Sequence, residues 1–156
     1  MNKKLKISLP ILITIVISVA VTTILIKANS SSENNQQNYN QETRVDKIYI
    51  NINEQKFEVN LEDNSTTSAL AKILPLEYTM NDLNGNEKYV YLDETLPTNP
   101  YEPKHIEAGD VMLFGNNCFV VFYKSFDTNY SYSKIGHIDN LPELDNGSLF
   151  VRLSIE

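Results

Sequence analysis

The sequence predicts a mainly β protein: a closed or nearly closed barrel of about eight strands with one short helix, preceded by an N-terminal membrane helix. Three observations carry this reading. From residue 45 onward, short apolar/polar alternations recur with turn signals every 8–12 residues or about that spacing. One segment alone, residues 66–74, has the capping and apolar spacing of a helix. Residues 7–26 contain no charged side chain, and twenty residues at about 1.5 Å rise span roughly 30 Å, the thickness of a bilayer's hydrocarbon core.

The apolar run follows Lys3, Lys4 and Lys6, with Pro10 near its start. A cleaved signal peptide has a shorter apolar region and a small-residue cleavage site. Here the run closes on Ile26-Lys27-Ala28, where Ile26 and Lys27 are large. No cysteine follows it that could take a lipoprotein-type lipid. Residues 1–28 therefore read as an uncleaved signal anchor, a single-pass transmembrane segment in the cell membrane; the alternative is a domain secreted after signal cleavage. Lysines precede the span and only Lys27 and Arg44 follow soon after, which predicts the N-terminus inside and the domain outside the cytoplasm. Residues 29–44 are rich in Asn, Gln and Ser and nearly free of apolar side chains, as expected of a flexible polar tether. Residues 45–156 form the folded domain.

Within it, residues 47–53 alternate Ile48, Ile50 and Ile52 against Tyr49 and Asn51, and Phe57, Val59 and Leu61 repeat the pattern after a turn at Asn53-Glu54-Gln55. Capping side chains at residues 63–65 precede the helix, whose Leu70, Ile73 and Leu74 should face inward and which Pro75 stops. Residues 76–83 and 87–92 pair across Asn84-Gly85, a dipeptide that accepts the positive φ values of a type I′ turn. Pro97, Pro100 and Pro103 make residues 96–103 an irregular surface loop, since proline donates nothing to a ladder. Residues 111–114 and 118–123 are central strands joined through Gly115-Asn116-Asn117. Residues 130–138 and 149–155 supply the last two, with Leu149, Val151, Leu153 and Ile155 on one face and Phe150 and Arg152 on the other.

From residue 45 the chain carries eight Lys/Arg against eighteen Asp/Glu, a formal charge of −10 compared with −7 for the whole chain. This argues against nucleic acid, which needs clustered cations, and against docking of the domain on anionic lipid; the membrane is a partner through the N-terminal helix only. The single cysteine, Cys118, lies in an apolar strand and reads as a buried hydrophobe rather than a reactive thiol. His105 and His137 read as surface or rim histidines, with no Ser or Cys nucleophile beside them in sequence. Asp82-x-Asn84-x-Asn86 imitates the start of a calcium loop, but Glu87 stands where that loop needs glycine. No His/Cys spacing suits zinc and no Gly-rich phosphate cradle occurs. The sequence thus predicts neither metal nor cofactor.

An aromatic and amide group remains. Met112, Phe114, Asn117, Phe122, Tyr130 and Tyr132 are the candidate ligand-binding residues, because an apolar cleft with a few amides and hydroxyls suits a small molecule, peptide or protein. The competing reading of the phenylalanines is that they fill the barrel. Tyr130 and Tyr132 sit in a polar, loop-like stretch and are expected at a rim. The acidic surface favours neutral or cationic ligands.

The order of motifs in residues 80–126, MNDLNGNEKYVYLDETLPTNPYEP followed after a short gap by AGDVMLFGNNCFVVFYKSF, resembles the small bacterial cyclophilin-like domains. The resemblance spans about residues 45–156 and implies a compact cyclophilin-like β-barrel. Cyclophilins proper isomerise prolyl bonds with an arginine, glutamine, phenylalanine and tryptophan around an apolar groove. This chain has only Arg44 in the tether and Arg152 on the last strand, and no tryptophan. Their site segments have loose echoes in residues 111–114 and 116–119. The resemblance therefore implies a shared fold without a shared active site. The expected function is a membrane-anchored extracytoplasmic binding or accessory module rather than an enzyme; the alternative is a divergent peptidyl-prolyl isomerase assisting exported proteins. Whether Arg152 points into an aromatic cleft separates the two.

Overall fold

A computed structural model of the chain describes residues 44–156. The predicted membrane segment and the tether up to residue 43 lie outside the described residues. Among the described residues, no helix is long and apolar enough to cross a membrane.

Strands β1 (Lys47–Ile52) and β2 (Gln55–Leu61) form the first hairpin, and its alternation works as period two requires: Ile48, Ile50, Ile52, Phe57 and Val59 are buried together. Its tight turn holds Asn53 and Glu54 at φ of 49° and 64°. Helix α1 (Ser65–Ile73) begins at an Asn64 cap. Asn64 Oδ1 accepts from Thr67 N (3.0 Å), while Asn64 N donates to Thr67 Oγ1 (3.4 Å). Leu70 is fully buried in the main core, whereas Ile73 and Leu74 are only partly covered. The rest of the buried helix face is Thr66, Thr67 and Ala71, a correction to the all-aliphatic face expected. Thr66 Oγ1 donates to the Pro97 carbonyl (2.7 Å) and so ties the helix to the proline-rich loop.

The remaining strands are β3 (Leu76–Leu83), β4 (Glu87–Tyr91), β5 (His105–Ile106), β6 (Asp110–Phe114), β7 (Cys118–Phe122), β8 (Phe126–Asp127), β9 (Ser133–His137) and β10 (Leu149–Ser154). Among the described residues, eight of these strands close an antiparallel barrel in the order β1-β10-β3-β4-β7-β6-β9-β2, and β5 pairs with β8 as a separate ribbon. That ribbon is absent from the sequence reading, because two residues carry no periodicity. The strand expected over residues 130–138 starts at Ser133. Tyr132 makes only an isolated bridge, exchanging backbone bonds with Tyr101 (2.9 and 3.0 Å). β2 and β9 seal the barrel over just two paired positions, Asn60 with His137 and Leu61 with Gly136. A Cβ on Gly136 would stand 2.2 Å from the Asn60 carbonyl oxygen, so only glycine lets these strands close.

The β3–β4 hairpin turns at Asn84 and Gly85, both at positive φ (56° and 69°), with Asn86 N bonded to Leu83 O (3.3 Å). Next to it lies Lys88, which is only 1% exposed. A buried ammonium persists only if its donors are matched. Lys88 Nζ donates to Asp82 Oδ2 (2.7 Å) and to the carbonyls of Asp145 (2.6 Å) and Gly147 (2.8 Å), three acceptors for three N–H groups. Asp82 also accepts from the Tyr123 hydroxyl (2.6 Å) and Gly85 N (3.0 Å), and its carboxyl is held below the ordinary range chiefly by Lys88. The resemblance of residues 82–86 to a calcium loop is thereby explained: Asp82 anchors the hairpin to residues 145–147.

Two cores result. The barrel interior takes Val111, Leu113, Phe119 and Val121 from β6 and β7. The opposite faces of the same strands form a second, outer core of Met112, Cys118, Val120 and Phe122, joined by Ile106 and Tyr132. Strands buried on both sides explain the unbroken apolar runs of β6 and β7.

Candidate functional site

Alternation along β4 sends Lys88 and Val90 inward and leaves Glu87, Tyr89 and Tyr91 on the outer face. The β4–β7 register sets these opposite Phe122, Val120 and Cys118. On the other side of β7, Met112 stands opposite Val120 and Phe114 opposite Cys118. Three neighbouring strands thus present one outward grid. The segment after β7 folds back across it, bringing Phe126, Thr128, Tyr130 and Tyr132 over the strands. The result is a cleft of about 770 Å³ with Cys118 and Val120 in its lining, Tyr89 and Tyr91 from β4, and the hairpin residues Leu83, Asn84, Asn86 and Glu87. A shallower hollow of about 490 Å³ adjoins it and shares Phe114 and Tyr132.

The aromatic rings are in mutual contact. Phe114 meets Tyr130 edge-on (6.0 Å between centroids) and Tyr132 at 5.6 Å; Phe122 meets Tyr132 at 5.5 Å and Phe126 at 5.6 Å. Each such pair adds about 0.5–1.5 kcal/mol beyond area burial, so the wall is held together without the barrel core. Of the residues singled out from sequence, Phe114, Tyr130 and Tyr132 line this cleft. Met112 and Phe122 lie beneath it, buried to 1% and 0% exposure, and support the wall without facing the opening. Asn117 is elsewhere: its Nδ2 donates to the Leu92 carbonyl (3.2 Å) and pins the end of β4. Among the phenylalanines of residues 111–126, filling of the barrel holds for Phe119, since Phe114, Phe122 and Phe126 are on the outside. Glu87, Tyr89, Tyr91 and Thr128 were missed. The alternation in Glu87-Lys88-Tyr89-Val90-Tyr91 was the signal for the first three.

Burial decides the chemistry of the polar groups. Glu87 is 9% exposed, and burial, with a smaller push from Asp82, raises its carboxyl from 4.5 to about 7. Burial lifts the Cys118 thiol to about 11, so it stays protonated and unreactive at neutral pH. The Tyr132 hydroxyl is raised as well, first by burial and then by the nearby Glu87. His105 bonds Asp127 (2.6 Å) on the exposed ribbon, and this contact is the leading cause of its raised pKa. His137 bonds Asp110 (3.1 Å), whose other oxygen accepts from Glu107 N (3.0 Å). His105 thus ties β5 to β8, and His137 ties β9 to the start of β6. Arg152 lies on β10 against Glu77 (3.7 Å) and is not among the cleft residues.

Residues 50–156 match the cyclophilin-like family. The chain belongs to that family. No curated protein matches it. The solution structure of the hypothetical protein AF2241 from Archaeoglobus fulgidus shares the fold of this cyclophilin-like domain, with 20% identity, a TM-score of 0.52, and coverage of 75% of this chain and 100% of the other. The acidic, tyrosine-walled cleft described above is carried by this chain's own residues on that shared barrel.

Proposed function

We propose that this protein is a membrane-anchored, extracytoplasmic binding or accessory module whose ligand seats in the cleft on the outer face of β4, β7 and β6. The observation that carries the reading is the cleft itself, a concave site of about 770 Å³ with aromatic walls and few polar groups. Anchoring and orientation rest on the uncharged run of residues 7–26 and the lysines before it; secretion after signal cleavage is the other outcome of the test. The isomerase reading has no support from the cleft, where Arg152 does not take part.

Membrane fractionation with N-terminal sequencing tests the anchor. Full-length protein in the membrane fraction is the expected result, and soluble chain starting near Ala28 overturns it. A fragment screen read by NMR on the detergent-solubilised chain tests the cleft. Binders should perturb Tyr91, Phe114 and Tyr130, and Phe114→Ala should weaken them about tenfold while costing about 1–3 kcal/mol of stability for the two ring contacts it gives up, with the barrel still folded. Fragments that bind only elsewhere would overturn the assignment.

A further inference from the structure

Building on the cleft as a ligand site, we propose that its ligand presents an ammonium group on an apolar body, with Glu87 as the counter-ion. Glu87 lines the cleft, is nine-tenths buried, and makes no hydrogen bond or ion pair among the described residues. A carboxylate whose contact with water is confined to the cleft opening is ordinarily paired, because a lone, largely buried charge is costly. The chain itself offers it no cation. No Lys, Arg or His lines the cleft, and the neighbouring Lys88 points the other way with all three N–H groups engaged. The adjacent Asn86 Oδ1 is also buried without a donor, so the hairpin end of the cleft is short of donors twice over.

The walls suit the same ligand. Tyr89 and Tyr91 stand on Glu87's own face of β4, and their rings meet edge-on at 6.0 Å. Tyr130, two-thirds exposed, stands in the lining contributed by the segment after β8. Tyrosine faces attract a cation and also pack against the hydrocarbon that bears it. An anion would meet the unpaired carboxylate of Glu87 within the lining, whereas Asp127 there is already engaged by His105. The ammonium could belong to a free amine or to a lysine side chain of a peptide; the chemistry that recognises it is the same.

The binding should depend on pH, because a proton on Glu87 competes with the ammonium. Asp82, Cys118 and Tyr132 act electrostatically with Glu87, and Asp127 lines the same cleft with His105 bonded to it. Burial raises the Glu87 carboxyl to about 7, so affinity for the amine should fall as pH falls through that value. His105, held above its ordinary value by Asp127, is retained in the Glu87→Gln variant, which separates the two.

The test is calorimetric titration of the full-length chain in detergent with 2-phenylethylamine, 2-phenylethanol, phenylacetate and N-acetyl-lysine methylamide. At pH 8 the amine should bind about tenfold or more tightly than the alcohol, the scale of one charge-assisted hydrogen bond, and phenylacetate should bind weakest. Glu87→Gln should abolish that preference by bringing the amine's affinity down to that of the alcohol, and it should remove the pH dependence. Preference for the lysine amide as well points to a peptide source, and preference for the free amine alone to a small molecule; both support the inference. Equal affinity of amine and alcohol, or a preference that survives Glu87→Gln, overturns it and leaves the cleft as a site for another class. Absence of any cleft binder, in these titrations and in the fragment screen, overturns both readings.

Discussion

Replacing Glu87 with glutamine keeps the shape of the side chain and removes one ionisation, so its effect on stability should be confined to one pH window. Unfolded, the carboxyl loses its proton near 4.5; folded, burial holds the proton up to about 7. Between those values the folded state binds the extra proton, and stability falls as pH rises. The difference corresponds to about 3 kcal/mol at 1.36 kcal/mol per pH unit, and water reaching Glu87 through the cleft reduces it to about 2 kcal/mol. His105 acts in the same direction, because its raised pKa stabilises the fold at low pH and that gain is lost on the way up. Its exposure on the ribbon keeps its share small. Urea unfolding of the full-length chain in detergent, followed by tyrosine fluorescence at pH 5 and pH 8, separates the two. Wild type should lose about 2 kcal/mol more than Glu87→Gln over that interval, and the variant should be the more stable protein at pH 8. Parallel pH profiles for the two proteins would refute the claim that Glu87 is an unpaired buried charge.

Lys88→Met should lower stability by about 3–5 kcal/mol, since it leaves Asp82 without its cation and the carbonyls of Asp145 and Gly147 without a donor; a loss below about 1 kcal/mol in urea would show that residues 145–147 rearrange freely. Gly136→Ala forces a Cβ to within 2.2 Å of the Asn60 carbonyl. It should cost about 1–3 kcal/mol or more, with amide exchange of Glu62, whose N–H donates to the Ile135 carbonyl (2.9 Å), accelerated first as the β2–β9 seam opens; unchanged exchange there would contradict the geometry.

Most of the barrel was legible because its determinants are local. Alternation at Ile48, Ile50 and Ile52, the Asn84-Gly85 turn and the proline spacing of the loop each follow from neighbouring residues, and the structure keeps them within a residue or so. The β5–β8 ribbon and the bridge from Tyr101 to Tyr132 were not legible, because such short pairings are stabilised by what they cover, here the outer aromatic core. The candidate site divides in the same way. Phe114, Tyr130 and Tyr132 could be picked out as aromatics beside turns, whereas Asn117 does not line the cleft because its amide is drawn to the Leu92 carbonyl just past the end of β4, 25 positions away.

The sequence by itself determined the strand alternation, the turn positions, the cap of the single described helix, the acidic character of the domain and the uncharged N-terminal run. All of these depend on residue types at short spacing. The tertiary structure alone decided which surfaces the strands share. It made β6 and β7 two-sided by folding the segment after β7 back over their outer face, and it buried Lys88 by bringing residues 145–147 to it from nearly sixty positions away. It also left Glu87 buried without a partner, one position away from a lysine that faces the opposite side. Adjacent residues on a strand point to opposite faces, so closeness in sequence supplied no ion pair, and the long-range pairing of β4 with β7 placed that carboxyl in an aromatic cleft.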